Sequence, residues 1–236
     1  MRGGAPKVSI PLDGKVPSGD IPSYREEPNM LTGKSSFYLA SRSPRRRQLL
    51  DQLGVEHEVL TQRIKAERGP DVNEDPRPGE KPRDYVLRVC RDKVENGWSR
   101  VIQRKLPLRG VMAADTTVCI GDEILGTPAD AAQAADFLAR LSGREHEVLT
   151  AVAFKFGERM ETELSVTAVR FRVLEPAEIE RYVASGEPMD KAGAYGIQGH
   201  AGVFITEIRG SYSGVMGLPL YETAQLLKRF GIGPSS

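Results

Sequence analysis

Cysteine, histidine and tryptophan are all scarce in this 236-residue chain, with two, three and one copies. Two cysteines, Cys90 and Cys119, are too few for a disulfide framework and too far apart for a zinc motif, so they read as two reduced thiols. His57, His146 and His200 are scattered, and no His-Glu-x-x-His pattern joins them. No apolar run approaches the roughly 20 residues needed to cross a bilayer, which argues against a membrane protein. An excess of basic charge is missing too. Lys plus Arg number 33 against 32 Asp plus Glu, a formal net charge of +1. A protein that holds nucleic acid through its phosphates needs more than that, so no stable nucleic-acid partner is expected. The phosphate-loop signature, the dinucleotide Gly-x-Gly-x-x-Gly fingerprint and the Gly-x-Ser-x-Gly nucleophile elbow are also lacking.

What remains is ordinary globular composition, 39% hydrophobic and 28% charged, over a length that can support a real core. Residues 1–34 differ from the rest. Ten Gly and Pro residues between Gly3 and Gly33 interrupt every element, and large apolar side chains are few. Such a segment cannot offset its ordering entropy, so a disordered tail over 1–34 and one folded domain over 35–236 are expected. The tail has no apolar stretch typical of a secretory signal, and Asp13, Asp20, Glu26 and Glu27 are out of place in a transit peptide. A cytoplasmic protein is expected. Met30, just before the first strand, offers an alternative start.

From Ser36 strands and helices alternate. The patterns predict a strand at Phe37–Ala40 and a helix from Pro44 to Leu53, capped by Ser43 and stopped by Gly54. A polar loop over 66–82 precedes a helix at Arg83–Arg104, where Tyr85, Val86, Val89, Cys90 and Val94 share one side. Val111–Ala114 reads as a buried strand ending at Asp115, and Gly121-Asp122 as a hairpin leading into Glu123–Leu125. A helix at Ala129–Leu141, long strands at His146–Phe156 and Glu161–Val173, a helix at Glu175–Ser185, a strand at Val203–Ile208 and a helix at Leu218–Phe230 follow. Long antiparallel strands among alternating elements predict an α/β fold with a mixed sheet.

Four segments carry chemistry. Ser41-Arg42-Ser43-Pro44-Arg45-Arg46-Arg47 lies after a strand and opens a helix. Cations are unfavourable at the positive end of a helix dipole, so three arginines there point to a polyphosphate anion. Asp115 follows a buried strand, where a carboxylate can hold Mg²⁺ or orient water, and Asp71-Val72-Asn73-Glu74 can add a second oxygen ligand. The stretch Gly186–Gly199 has four glycines and little apolar filler, describing a loop whose backbone approaches a ligand closely. Its Gln198 offers both a donor and an acceptor, as suits reading a base edge.

Five motifs occur in order: Leu39-Ala-Ser-x-Ser-Pro-Arg-Arg-x-x-Leu-Leu50, Ala114-Asp-Thr-x-Val118, Leu141-Ser-Gly-x-x-His-x-Val148, Gly186-Glu-Pro-x-Asp-Lys-Ala-Gly-Ala-Tyr-Gly-Ile-Gln-Gly199 and Gly210-Ser-Tyr-x-x-Val-x-Gly-Leu-Pro219. Together they resemble the Maf family of nucleoside triphosphate pyrophosphatases, from about Phe37 to Phe230. The resemblance implies an elongated, bent mixed β-sheet flanked by helices around a central nucleotide cleft, in a homodimer. It implies hydrolysis of a nucleoside triphosphate to the monophosphate and pyrophosphate with a divalent metal cation, Mg²⁺ or Mn²⁺. By motif, Asp115 is the proton acceptor or water activator, and Glu74 helps it hold the metal. Ser41, Arg45 and Arg46 would hold phosphates and Lys93 would add positive charge, while Arg45, Thr116 and Gln198 would shape base selection.

Asp115-Thr116 and Ser142-Gly-x-x-His146 are similar to the dTTP/UTP branch, whereas the 7-methyl-GTP branch has Asp-Gln. The implied task is removal of dTTP, UTP and modified pyrimidine triphosphates such as 5-methyl-UTP or pseudo-UTP from the nucleotide pool. One departure stands out: Gly126-Thr127-Pro128 replaces the family's Gly-Lys-Pro, so a point cation becomes a hydroxyl. A 7-methyl-GTP pyrophosphatase, and a non-catalytic nucleotide-binding regulator of septum formation, are the alternative functions.

Overall fold

A computed structural model describes residues 36–60 and 72–234. The tail expected over 1–34 and residues 66–71 of the loop expected over 66–82 lie outside the described residues. Among the described residues seven strands form one mixed sheet: β1 (Phe37–Leu39), β2 (His57–Val59), β3 (Val111–Ile120), β4 (Glu123–Leu125), β5 (Glu145–Phe156), β6 (Arg159–Phe171) and β7 (Ile205–Arg209). The spatial order is β2-β1-β3-β5-β6-β7, with β4 also on β3. β1 runs parallel to β2 and β3, and every other pairing is antiparallel.

Helices α1 (Pro44–Gln52), α2 (Pro82–Gln103), α3 (Ala131–Leu141), α4 (Pro176–Ala184), α5 (Tyr212–Met216) and α6 (Leu220–Arg229) cover the sheet. Period-two alternation along β3 sends Val111, Ala113 and Cys119 toward α2, where they pack with Val86, Val89, Cys90 and Val94. Met112 and Ala114 point the other way and join Leu49, Leu50, Leu226 and Leu227 of α1 and α6. A third cluster gathers α3 and α4 around Phe171, Tyr195 and Phe204. Among the described residues no helix is long and apolar enough to cross a membrane.

Three expectations change. The strand predicted to end at Asp115 runs on to Ile120, because Thr116, Thr117, Val118 and Ile120 are β-branched and pair with β5 and β4. Asp115 is therefore a mid-strand residue. The strand predicted from Val203 begins at Ile205, after a 3₁₀ turn over His200–Phe204. The closing helix starts at Leu220, and a separate short helix, α5, precedes it, broken off by Gly217 at φ +113°. The three-residue β2 carries no period-two signal and escapes the sequence reading.

Candidate active site

β3 is paired along one edge by β5, but its other edge is shared by two short strands with a gap between them. β1 covers only Val111 and Met112, and β4 covers Val118 to Ile120. Residues 113–117 therefore have no strand partner on that side among the described residues, and a cleft of about 510 Å³ opens there. Because the edge is open, Asp115 and Thr116, which point to opposite faces of the sheet, both reach the same cleft.

On the α2 face, Asp115 is 6% exposed and Lys93 Nζ donates to its Oδ1 at 2.7 Å. The same ammonium donates to Glu74 Oε2 at 2.8 Å. Glu74 sits on a loop that α2 pins down. Tyr85 donates its hydroxyl to the Glu74 carbonyl at 2.9 Å, and Arg88 donates to the carbonyls of Asn73 and Asp75, both at 3.1 Å. Arg88 is fixed in turn by Glu80, at 2.6 and 2.8 Å, and that hydrogen bonding holds the Glu80 carboxyl down at about 2. Cys90, one turn from Lys93, is buried; burial pushes its thiol up to about 12, leaving it inert at neutral pH.

On the opposite face stands the first turn of α1. The Ser43 hydroxyl caps it by accepting from the Arg46 N–H at 3.4 Å. Arg46 spreads its guanidinium over three protein acceptors: the Gly217 carbonyl at 2.7 Å, Ser41 Oγ at 3.4 Å and Thr116 Oγ1 at 3.3 Å. Burial lowers its pKa and the nearby Asp115 carboxylate opposes that shift. Arg45 lines the cleft and makes no ion pair among the described residues.

The glycine-rich stretch closes the third side, folded into 3₁₀ turns at Glu187–Asp190 and Ala192–Ala194. Glu187 is its clasp. One carboxylate oxygen accepts from Tyr182 at 2.9 Å, the other from the His200 N–H at 3.1 Å and from the His200 ring at 3.0 Å. A Cβ on Gly199 would stand 1.9 Å from Glu187 Oε1, so any side chain there would push the clasp carboxylate out of place. Gly193, at φ +67°, lies against Val118 and donates to the Gly126 carbonyl at 3.0 Å, tying the loop to the hairpin beside Thr127. Tyr195 is backed by His146 at 2.8 Å, whose imidazole burial holds down at about 4 and hence neutral.

Of the residues singled out from sequence, Arg45, Arg46, Glu74, Lys93, Asp115, Thr116 and Gln198 line this one cleft. Ser41 is not in its lining; its hydroxyl accepts from Arg46 and from the Ser43 N–H, and Ser43 itself takes the place facing the cleft. Thr127 lines the cleft, so the Lys-to-Thr departure does remove a cation from it. Lys191, Glu187 and Asp190 were missed as lining residues. The only signal for them was the Asp-Lys pair inside the glycine-rich stretch, whose composition does not say which side chains face inward. The lining thus combines four cations (Arg45, Arg46, Lys93, Lys191) with four carboxylates (Glu74, Asp115, Glu187, Asp190). That balance suits a polyanion that arrives with a cation better than it suits an anion alone.

The family described as "Maf-like protein" matches residues 36–230. This chain belongs to the Maf family. It is 55% identical over 196 residues to a protein of Nitrosomonas europaea, covering 83% of this chain and 95% of that one. It is 56% identical over 200 residues to a protein of Aromatoleum aromaticum (84% and 97% covered) and 52% identical over 198 residues to one of Dechloromonas aromatica (84% and 98% covered). Each of these Maf relatives is named dTTP/UTP pyrophosphatase. Among solved structures the Staphylococcus aureus Ham1 protein matches with a TM-score of 0.40 and 12% identity, over 58% of this chain and 71% of that one, too distant to bear on the fold.

Proposed function

We propose that this chain hydrolyses dTTP and UTP to the monophosphate and pyrophosphate, with water attacking the α-phosphorus and the α–β bridging bond breaking. The observation that carries this is the triad Glu74–Lys93–Asp115, held at 2.7 and 2.8 Å across the open edge of β3 and facing the arginines of α1. Asp115 accepts the proton of the attacking water. Lys93 holds that carboxylate in place through the 2.7 Å ion pair and, with Arg45 and Arg46, neutralises the charge that builds on the departing pyrophosphate. Among the described residues no three acidic, His or Cys side chains form a complete metal cage. Yet two carboxylates already flank one cationic position, at Lys93 Nζ, and Mg²⁺ is commonly held by one or two carboxylates plus substrate phosphates. Glu74 and Asp115 would hold Mg²⁺ or Mn²⁺, which supplies Lewis-acid polarisation of the phosphate oxygens when bound.

Thr116 and Gln198 are the base-selecting pair, with Arg45 between base and phosphates. Modified pyrimidine triphosphates fit the same reading. Buried free thiols and the near-zero net charge support a cytoplasmic enzyme working on free nucleotides rather than nucleic acid, and the family resemblance supports a homodimer. The test is pyrophosphate release from UTP, dTTP, CTP, GTP and 7-methyl-GTP with Mg²⁺ or Mn²⁺. The expected result is kcat/KM for UTP and dTTP at least about 10-fold above the others. A faster 7-methyl-GTP would overturn the pyrimidine assignment, and no pyrophosphate from any substrate would make the protein a nucleotide binder.

A further inference from the structure

The β3–β5 register places Thr150 directly opposite Thr116. Thr150 has 0% exposure, and its Oγ1 lies 3.0 Å from Thr116 Oγ1 and 2.8 Å from the Gly214 carbonyl oxygen. A hydroxyl carries one proton. The carbonyl only accepts, so the Thr150 proton belongs to Gly214, and the proton between the two threonines comes from Thr116. On its other side Thr116 Oγ1 lies 3.3 Å from Arg46 Nη2, a group that only donates. The chain of donation therefore runs one way, from Arg46 to Thr116 to Thr150 to Gly214. Its far end is rigid, because the Gly214 N–H is held at 3.0 Å by Ser211 Oγ, the cap of α5. Thr116 is left with one lone pair and no proton for the cleft it lines.

We infer that Thr150 is a positioning residue that makes Thr116 an acceptor toward the base, so that the site selects a pyrimidine with a protonated N3. Uracil and thymine carry N3–H, whereas N3 of cytosine is itself an acceptor and would meet Thr116 lone pair to lone pair. Gln198 then supplies the donor for O4. This rests on the proposed pyrimidine triphosphate substrate, and deepens it by assigning the discriminating contact.

The experiment measures kcat and KM for UTP and CTP in the wild type, Thr150→Val and Thr150→Ser. Thr150→Val releases the Thr116 proton, which can then turn toward the cleft and serve cytosine N3. The UTP:CTP ratio of kcat/KM should fall at least about fivefold, through KM rather than kcat, while Thr150→Ser keeps the wild-type ratio. Should Thr150→Val fail to fold, Thr150→Cys, of similar volume with a much weaker hydrogen-bonding group, carries the same expectation. Equal slowing of both substrates, with the ratio preserved, would mean Thr150 only supports the fold and would overturn the inference. A wild type that hydrolyses CTP as well as UTP would instead overturn the substrate preference on which it rests.

Discussion

At the scale of single residues the site depends on where protons and charges are allowed to sit. Asp115 is nearly buried, and the Lys93 ammonium at 2.7 Å is its ion-pair partner. Asp115→Asn keeps the shape and removes the charge. Turnover should fall by about 10²-fold or more, with the melting temperature unchanged or raised, and a pyrophosphate assay beside a thermal melt checks both. Retained activity would remove Asp115 from the chemistry. Gln198 sits on the glycine-rich loop that Glu187 clasps, facing the cleft. Gln198→Ala should cost about 1–3 kcal/mol of discrimination between UTP and CTP, and slow UTP hydrolysis less than it narrows that preference. With Thr127 in the lining, the cations of the cleft are Arg45, Arg46, Lys93 and Lys191, and Lys191 is already tied to Asp190 at 2.5 Å on its own loop.

Elements matter here through their lengths as much as their sequences. β1 and β4 are three residues each, and that shortness leaves the edge of β3 open between them. A longer β1 would cover Asp115 with backbone. The loop carrying Glu74 has no regular structure, and its position relies on Arg88 and Tyr85 of α2. Arg88→Met keeps the aliphatic stem over α2 but removes both carbonyl contacts and the partner of Glu80. We expect kcat/KM to drop about 10-fold, partly restored by raising Mg²⁺, since the loop that aims a metal-holding carboxylate is loosened. A metal titration of activity in wild type and variant reads this directly, and an unchanged metal dependence would separate Arg88 from the site.

For the whole molecule, acid should act through His146, buried at the junction of β5 with the Phe171–Tyr195–Phe204 cluster. Its folded pKa is about 4 against 6.5 unfolded, so between those values the unfolded chain holds a proton that the folded one does not. Stability therefore rises with pH across that window and is lost on acidification from about 6.5 to 4, by about 3 kcal/mol in total. The carboxyls of Glu80 and Glu178, both held near 2 by arginine hydrogen bonds, contribute only below about 4.5, so the two effects separate along the pH axis. Melting temperature measured from pH 7 to 4 should slope downward in the wild type and flatten in His146→Phe, whatever that variant's starting stability. Parallel slopes would place the acid sensitivity elsewhere.

Local chemistry was legible along the chain. Ser43-Pro44 with Gly54 bounded α1 and the apolar spacing of Tyr85 to Val94 set α2, because caps, periodicity and left-handed glycines act over a few residues. Ordered motifs contained Asp115, Arg45, Arg46, Thr116 and Gln198, the acidic loop offered Glu74, and the family resemblance added Lys93, before any fold was known. Only the tertiary structure decided that Asp115 lies mid-strand, that Ser43 faces the cleft while Ser41 stands behind Arg46, and that Thr116 meets Thr150. Each of these depends on strand register or on which neighbour is absent from an edge. Register joins residues 34 positions apart through hydrogen bonds that every backbone can make, and no run of side chains read in sequence order specifies which of those pairings forms.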